Sequence, residues 1–160
     1  MSKLLNDSIK EAPMMGEDTA CRSRILVVDQ EDWAREFLTS VIKLCGYEEF
    51  KLANSIDEAL EAVDACSYDL IIIDLRQPHH QRLIEHVRSH QPGTRFLIMV
   101  QPRAQVRHMV YYEEVDIVYK PLSLDETVRK IRHALRQKQL HQAEEEFRRL
   151  KQEALRIFLS

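Results

Sequence analysis

Tyr68-Asp69-Leu70-Ile71-Ile72-Ile73-Asp74-Leu75-Arg76-Gln77-Pro78 is the stretch on which the fold turns. Four consecutive aliphatic residues, three of them β-branched, form the run of a strand buried on both faces, as in the centre of a parallel sheet. The run closes on Asp74. A carboxylate is costly in an apolar core without a partner, so Asp74 belongs where the strand emerges. In open α/β sheets that end of the strand is where ligands bind. A single strand-end aspartate is usually just a solvated carboxylate.

Two further runs alter that reading. Arg24-Ile25-Leu26-Val27-Val28 closes on Asp29, followed by Gln30-Glu31-Asp32, and Val115-Asp116-Ile117-Val118-Tyr119 closes on Lys120-Pro121. If these strands are parallel neighbours, two carboxylates and one ammonium meet at one edge of the sheet. Elsewhere aliphatic runs alternate with amphipathic segments, the pattern of βα repeats. Strands are expected near 24–29, 48–53, 69–74, 95–100 and 115–119, and helices near 31–45, 55–65, 80–91, 103–112 and from 124 onward. Ala34, Phe37, Leu38, Val41, Ile42 and Cys45 share one helix face, with Gly46 as the stop. Ser55-Ile56-Asp57-Glu58 and Ser123-Leu124-Asp125-Glu126 both match the capping box that starts a helix.

The order strand–Asp29, strand–Asp74–x–x–x–Pro78, strand–Lys120–Pro121 resembles the receiver domain of two-component response regulators over residues 23–136. The resemblance implies an α/β, flavodoxin-like, doubly wound sheet of five parallel strands, here with an extended C-terminal helix. It implies a phosphoaspartate switch with Asp74 as phosphoacceptor and Lys120 contacting the phosphoryl group. Asp29 and Asp74 would hold Mg²⁺, with a sensor histidine kinase or phosphotransfer protein upstream and a downstream protein partner. Such a switch requires an anionic nucleophile and cations to neutralise the transferring group.

Several positions depart from the family pattern. Gln30 stands where a second acid is usual, so any metal ligation by its amide brings no charge and Mg²⁺ binding should be weak. Glu31 and Asp32 are nearby acids that could compensate, or simply favour the start of the first helix. Gln101 replaces a phosphoryl-binding hydroxyl, and Pro102 has no backbone N–H to offer. Ile117 stands where an aromatic switch residue is common, although Tyr111, Tyr112 and Tyr119 are near. The loop Arg76-Gln77-Pro78-His79-His80-Gln81-Arg82 is basic, which would suit phosphate, but a solvated loop is the plainer reading. These departures favour an alternative function: a pseudo-receiver that keeps the fold as an interaction module without productive phosphorylation. A hydrolase working through an aspartyl phosphate fits poorly, because Leu75-Arg76 supplies no second acid after Asp74. The expected role is therefore a phosphoacceptor switch and not an enzyme.

Bulk properties narrow the remaining choices. At 160 residues and net charge −3 the chain has length for one domain and no electrostatic case for nucleic acid or membrane surface. Charged residues make up 31% and hydrophobic ones 44%, an ordinary globular balance. No apolar run reaches membrane-spanning length and the N-terminus carries no signal-type segment, so a cytoplasmic protein is expected. Cys21, Cys45 and Cys66 lack metal spacing and are expected to be reduced, the last two buried on helices. His86 and His90 stand four apart on a helix, but without an accompanying motif they are expected to be surface residues.

Residues 1–22 form an aperiodic leader. At the other end, residues 124–159 hold neither Gly nor Pro. Val128, Ile131 and Leu135 make one stripe expected to pack on the sheet. Leu140, Ala143, Phe147, Leu150, Ala154 and Ile157 then follow 3-4-3-4-3 spacing, a heptad seam. Five residues separate Leu135 from Leu140, which rotates the second stripe by about 140°. Residues 137–160 are therefore expected to be a helical extension that forms a homodimeric coiled coil, unless it folds back on its own domain.

Overall fold

A computed structural model of the chain describes residues 23–102 and 114–159. Five strands form one sheet: β1 (Arg24–Val28), β2 (Glu49–Ala53), β3 (Leu70–Asp74), β4 (Arg95–Val100) and β5 (Val115–Tyr119). Their order across the sheet is β2-β1-β3-β4-β5 and every pairing is parallel. This is the flavodoxin-like doubly wound order, with its switch point between β1 and β3. The helices are α1 (Asp32–Leu44), α2 (Ile56–Ala65), α3 (His80–His90) and α4 (Leu124–Leu159). The helix expected over 103–112, with Tyr111 and Tyr112, lies outside the described residues, as does the leader over 1–22.

Each strand builds both layers of the core because its side chains alternate between faces. Leu26, Val28, Ile71, Ile73, Phe96 and Ile98 meet α2 and α3 on one face. Ile25, Val27, Leu70, Ile72, Leu97 and Met99 meet α1 and the first turns of α4 on the other. All five residues of β3 are buried, as its aliphatic run requires.

The helix punctuation follows the sequence signals. The Ser55 hydroxyl accepts from the Glu58 N–H at 3.2 Å, and the Glu58 carboxylate reaches back to the Asn54 N–H at 3.0 Å. At Gly46, with φ of 90°, α1 ends in a Schellman turn: Gly46 N–H donates to the Lys43 carbonyl and Tyr47 N–H to that of Ile42. Cys45 and Cys66 are not buried within helices as expected: both are half-buried free thiols at the positions that cap the C-terminal ends of α1 and α2, and Cys21 lies outside the described residues. His86 hydrogen-bonds Asp64 at 2.8 Å and stacks on His90.

The last helix runs unbroken through 36 residues, about 54 Å at 1.5 Å per residue. Its buried residues are Thr127, Ile131, Ala134 and Leu135, with Val128 partly buried beside them. An ion pair from Lys138 to Asp69 at 3.3 Å is the last tie to the domain among the described ion pairs. From Leu140 to Leu159 every residue is exposed, including Phe147 and Ile157 at 70% and 75%. The extension projects from its domain; it does not fold back. Among the described residues no helix is long and apolar enough to cross a membrane.

Candidate functional site

The switch point between β1 and β3 collects the strand-end charges. Asp74 is the last residue of β3, while β1 ends with its apolar run at Val28, one residue short of the expected 24–29, so Asp29 stands just beyond the strand. Its backbone N–H still pairs with the Ala53 carbonyl at 3.1 Å, which fixes the peptide at the sheet edge. Lys120 leaves β5 ahead of a cis peptide to Pro121, its N–H held by the Val100 carbonyl at 2.8 Å.

The three side chains converge. Lys120 Nζ donates to Asp74 Oδ2 at 2.5 Å and to Asp29 Oδ2 at 3.0 Å. The side chains of Asp29, Asp74 and Lys120 are 0%, 4% and 4% exposed, so the pairing occurs out of water. One ammonium between two carboxylates leaves a net negative charge there. Trp33, the single tryptophan of the chain, places its half-exposed ring 5.3 Å from Lys120 Nζ.

Both aspartates also fold the chain that follows them. Asp29 Oδ1 accepts from the Glu31 N–H at 2.9 Å, and Asp74 Oδ1 accepts from the Arg76 N–H at 2.8 Å. Each is an Asx turn that brings the residue two positions on over the carboxylate. The two turns carry Glu31 and Arg76 towards each other, and these side chains form an ion pair. The Arg76 guanidinium also reaches Asp74, Nη2 to Oδ2 at 3.1 Å and Nε to Oδ1 at 3.4 Å. Arg76 is exposed, as a solvated loop requires, but its guanidinium also joins the acidic cluster, which the sequence reading did not anticipate. Its location could have been inferred from its position two residues after Asp74, but its partner Glu31 lies 45 residues away in sequence.

The remaining expected positions contribute less. Gln30 is exposed, and Asp32 turns to Arg35 with its carboxylate open to solvent. Gln101 is half-buried after β4. Ile117 packs against the α2–α3 face of the core, and Tyr119 is exposed.

Burial pushes the Asp74 carboxyl up, but hydrogen bonds from Arg76 and Lys120 outweigh it and hold the group below the usual carboxylate range. The Arg76 guanidinium likewise holds Glu31 down. A depressed folded-state value means that Asp74 adds stability above its unfolded value of about 3.9, which is lost as pH falls through the folded value. Asp74→Asn should therefore flatten this part of the acid limb of the stability curve. Urea melts from about pH 6 to pH 3 would check it, and an unchanged slope would remove Asp74 as a contributor.

The response regulator receiver domain family matches residues 25–132 of this chain. The regulatory protein AtoC of Escherichia coli is 32% identical over 135 residues, which is 81% of this chain and 28% of that protein. The chain thus spans less than a third of that relative's length. A signal receiver domain of an HD-domain protein from Pseudomonas fluorescens superposes with a TM-score of 0.67 at 19% identity, covering 77% of this chain and 93% of the other. A CheY-like receiver domain from Methanospirillum hungatei gives a TM-score of 0.65 at 21% identity, covering 74% and 98%. At these identities the structures speak for the fold alone.

Receiver domains typically bind Mg²⁺ at this edge. The fit here is poor, because the acidic oxygens already have partners. Asp29 Oδ1 accepts from Glu31 N–H and Oδ2 from Lys120, while both Asp74 oxygens accept from Arg76 and one also from Lys120. Among the described residues no group of three or more His, Cys, Asp or Glu side chains is arranged to hold a metal ion.

Proposed function

The chain belongs to the response regulator receiver family of two-component signalling, and from that premise we propose that Asp74 is its phosphoacceptor. The observation that supports this most is the shared ammonium: Lys120 bonds both Asp29 and Asp74 in a buried setting at the β1–β3 switch point. Burial strengthens the electrostatic contribution of that cation, and an ionised Asp74 is the nucleophilic form. In the transfer, an Asp74 oxygen attacks phosphorus and forms the acyl–phosphate P–O bond. The bond from phosphorus to the donor breaks, and its electron pair leaves with the donor. Lys120 then faces an added phosphoryl charge, while Gln101 stands at the end of β4 as a further phosphoryl contact. The upstream donor is a histidine kinase or phosphotransfer protein, and the output is altered affinity for a protein partner.

The departures at Gln30, Gln101 and Pro102 support the second reading, an interaction module that is not productively phosphorylated. The two readings separate on intact mass after incubation with acetyl phosphate and Mg²⁺. Wild type should gain one phosphoryl group and Asp74→Asn none. A wild type that stays unmodified under conditions labelling an ordinary receiver makes this chain a pseudo-receiver.

We also propose that residues 140–159 of α4 pair with the same segment of a second copy. Three features support a second copy as the occupant. The heptad spacing is that of a coiled-coil seam, its apolar positions are solvent-exposed in the single chain, and its flanks change sign from Glu144-Glu145-Glu146 to Arg148-Arg149 and Lys151.

A further inference from the structure

We propose that Arg76 is a resident cation of the acidic edge: its guanidinium takes the place of a divalent metal and excludes it by bridging Glu31 and Asp74. Three acids meet there, Asp29, Glu31 and Asp74. With only Lys120 among them they would carry two uncompensated negative charges, the deficit that a divalent ion fills. Arg76 removes one of the two. A guanidinium is suited to the task because it is planar, always charged and able to donate to two carboxylates at once.

The geometry makes this more than a nearby surface charge. Arg76 donates to both oxygens of Asp74 through Nε and Nη2, and its own backbone N–H fills Oδ1 again. Nη2 also reaches Glu31, whose backbone N–H occupies Asp29 Oδ1. A metal drawing on Asp74 and Glu31 has to displace the guanidinium from both. Binding of the ion is therefore a competition with a tethered cation, and weak affinity follows from Arg76 more than from the uncharged side chain at Gln30. Gln30 is exposed and lies outside the hydrogen-bonded cluster. The inference concerns metal exclusion and stands whether or not Asp74 is phosphorylated.

Titration of the full chain with MgCl₂, followed by Trp33 fluorescence and by isothermal calorimetry, tests it. Trp33 reports on this edge through its position over Lys120. Wild type should bind weakly, in the millimolar range or above. Arg76→Ala should tighten binding by about tenfold or more, a change of about 1.4 kcal/mol. Arg76→Lys, which keeps charge but loses the fork, should fall between them, and Gln30→Asp should tighten binding less than Arg76→Ala does. Far-UV circular dichroism verifies that each variant is folded. Micromolar binding by wild type overturns the proposal without any variant. So does an Arg76→Ala protein that is folded and binds no tighter than wild type, or a Gln30→Asp protein that gains more than Arg76→Ala.

Discussion

Lys120→Ala should lower folding stability by roughly 3–5 kcal/mol, the usual cost of removing one partner from a buried ion pair. The expectation rests on sharing. Lys120 Nζ lies 2.5 Å from Asp74 and 3.0 Å from Asp29, with all three side chains nearly inaccessible to water. Without it, Asp29 would lose its cation and Asp74 would depend on Arg76 alone. Two like charges then face each other in low dielectric, where their repulsion is strong. Urea denaturation followed by circular dichroism measures the loss. A loss under about 1 kcal/mol would place Lys120 with ordinary surface pairs.

Truncation after Gln139 should convert a homodimer into a folded monomer. Ile131, Ala134 and Leu135 stay in the shortened chain and continue to cover the sheet, because the buried part of α4 ends there. What is removed is the exposed run with Leu140, Phe147, Leu150 and Ile157. Each of these side chains contributes on the order of 1.5–3 kcal/mol if fully buried in a partner helix. An isolated helix of this length is marginal in water, so pairing also secures the helix itself. Sedimentation equilibrium on both chains decides the matter. A full-length chain that remains monomeric at tens of micromolar rules out the paired seam and leaves the apolar face for a different protein.

The fold was legible because its signals are local. Leu70–Asp74 could only be a strand buried on both faces, and the Ser55 and Gly46 signals placed the start of α2 and the end of α1 within a residue of where they lie. The charges at Asp29, Asp74 and Lys120 were legible for the same reason, since parallel strands deliver their last residues to a common edge. The role of Arg76 was not. Its meaning depends on two Asx turns on different strands, which bring it to Glu31 across 45 residues of sequence. Gln30 illustrates the converse. Its place beside Asp29 in sequence identifies it as a ligand by analogy, yet the turn that brings Glu31 inward leaves Gln30 exposed. The tail is a case of pattern without environment: heptad spacing foretold the rotated face, and only the structure places it clear of its own domain.

On the proposed function, the β1–β3 edge presents Asp74 as the nucleophile for phosphoryl transfer. Borohydride reduction of protein treated with acetyl phosphate tests it most directly, because an aspartyl phosphate is reduced to homoserine at the residue that carried it. Tryptic residues 52–76 contain Asp57, Asp64, Asp69 and Asp74, and fragment ions distinguish them. Homoserine is expected at Asp74 and at none of the other three. Homoserine at another aspartate, or none in a sample where an ordinary receiver is trapped in parallel, would contradict that role for Asp74.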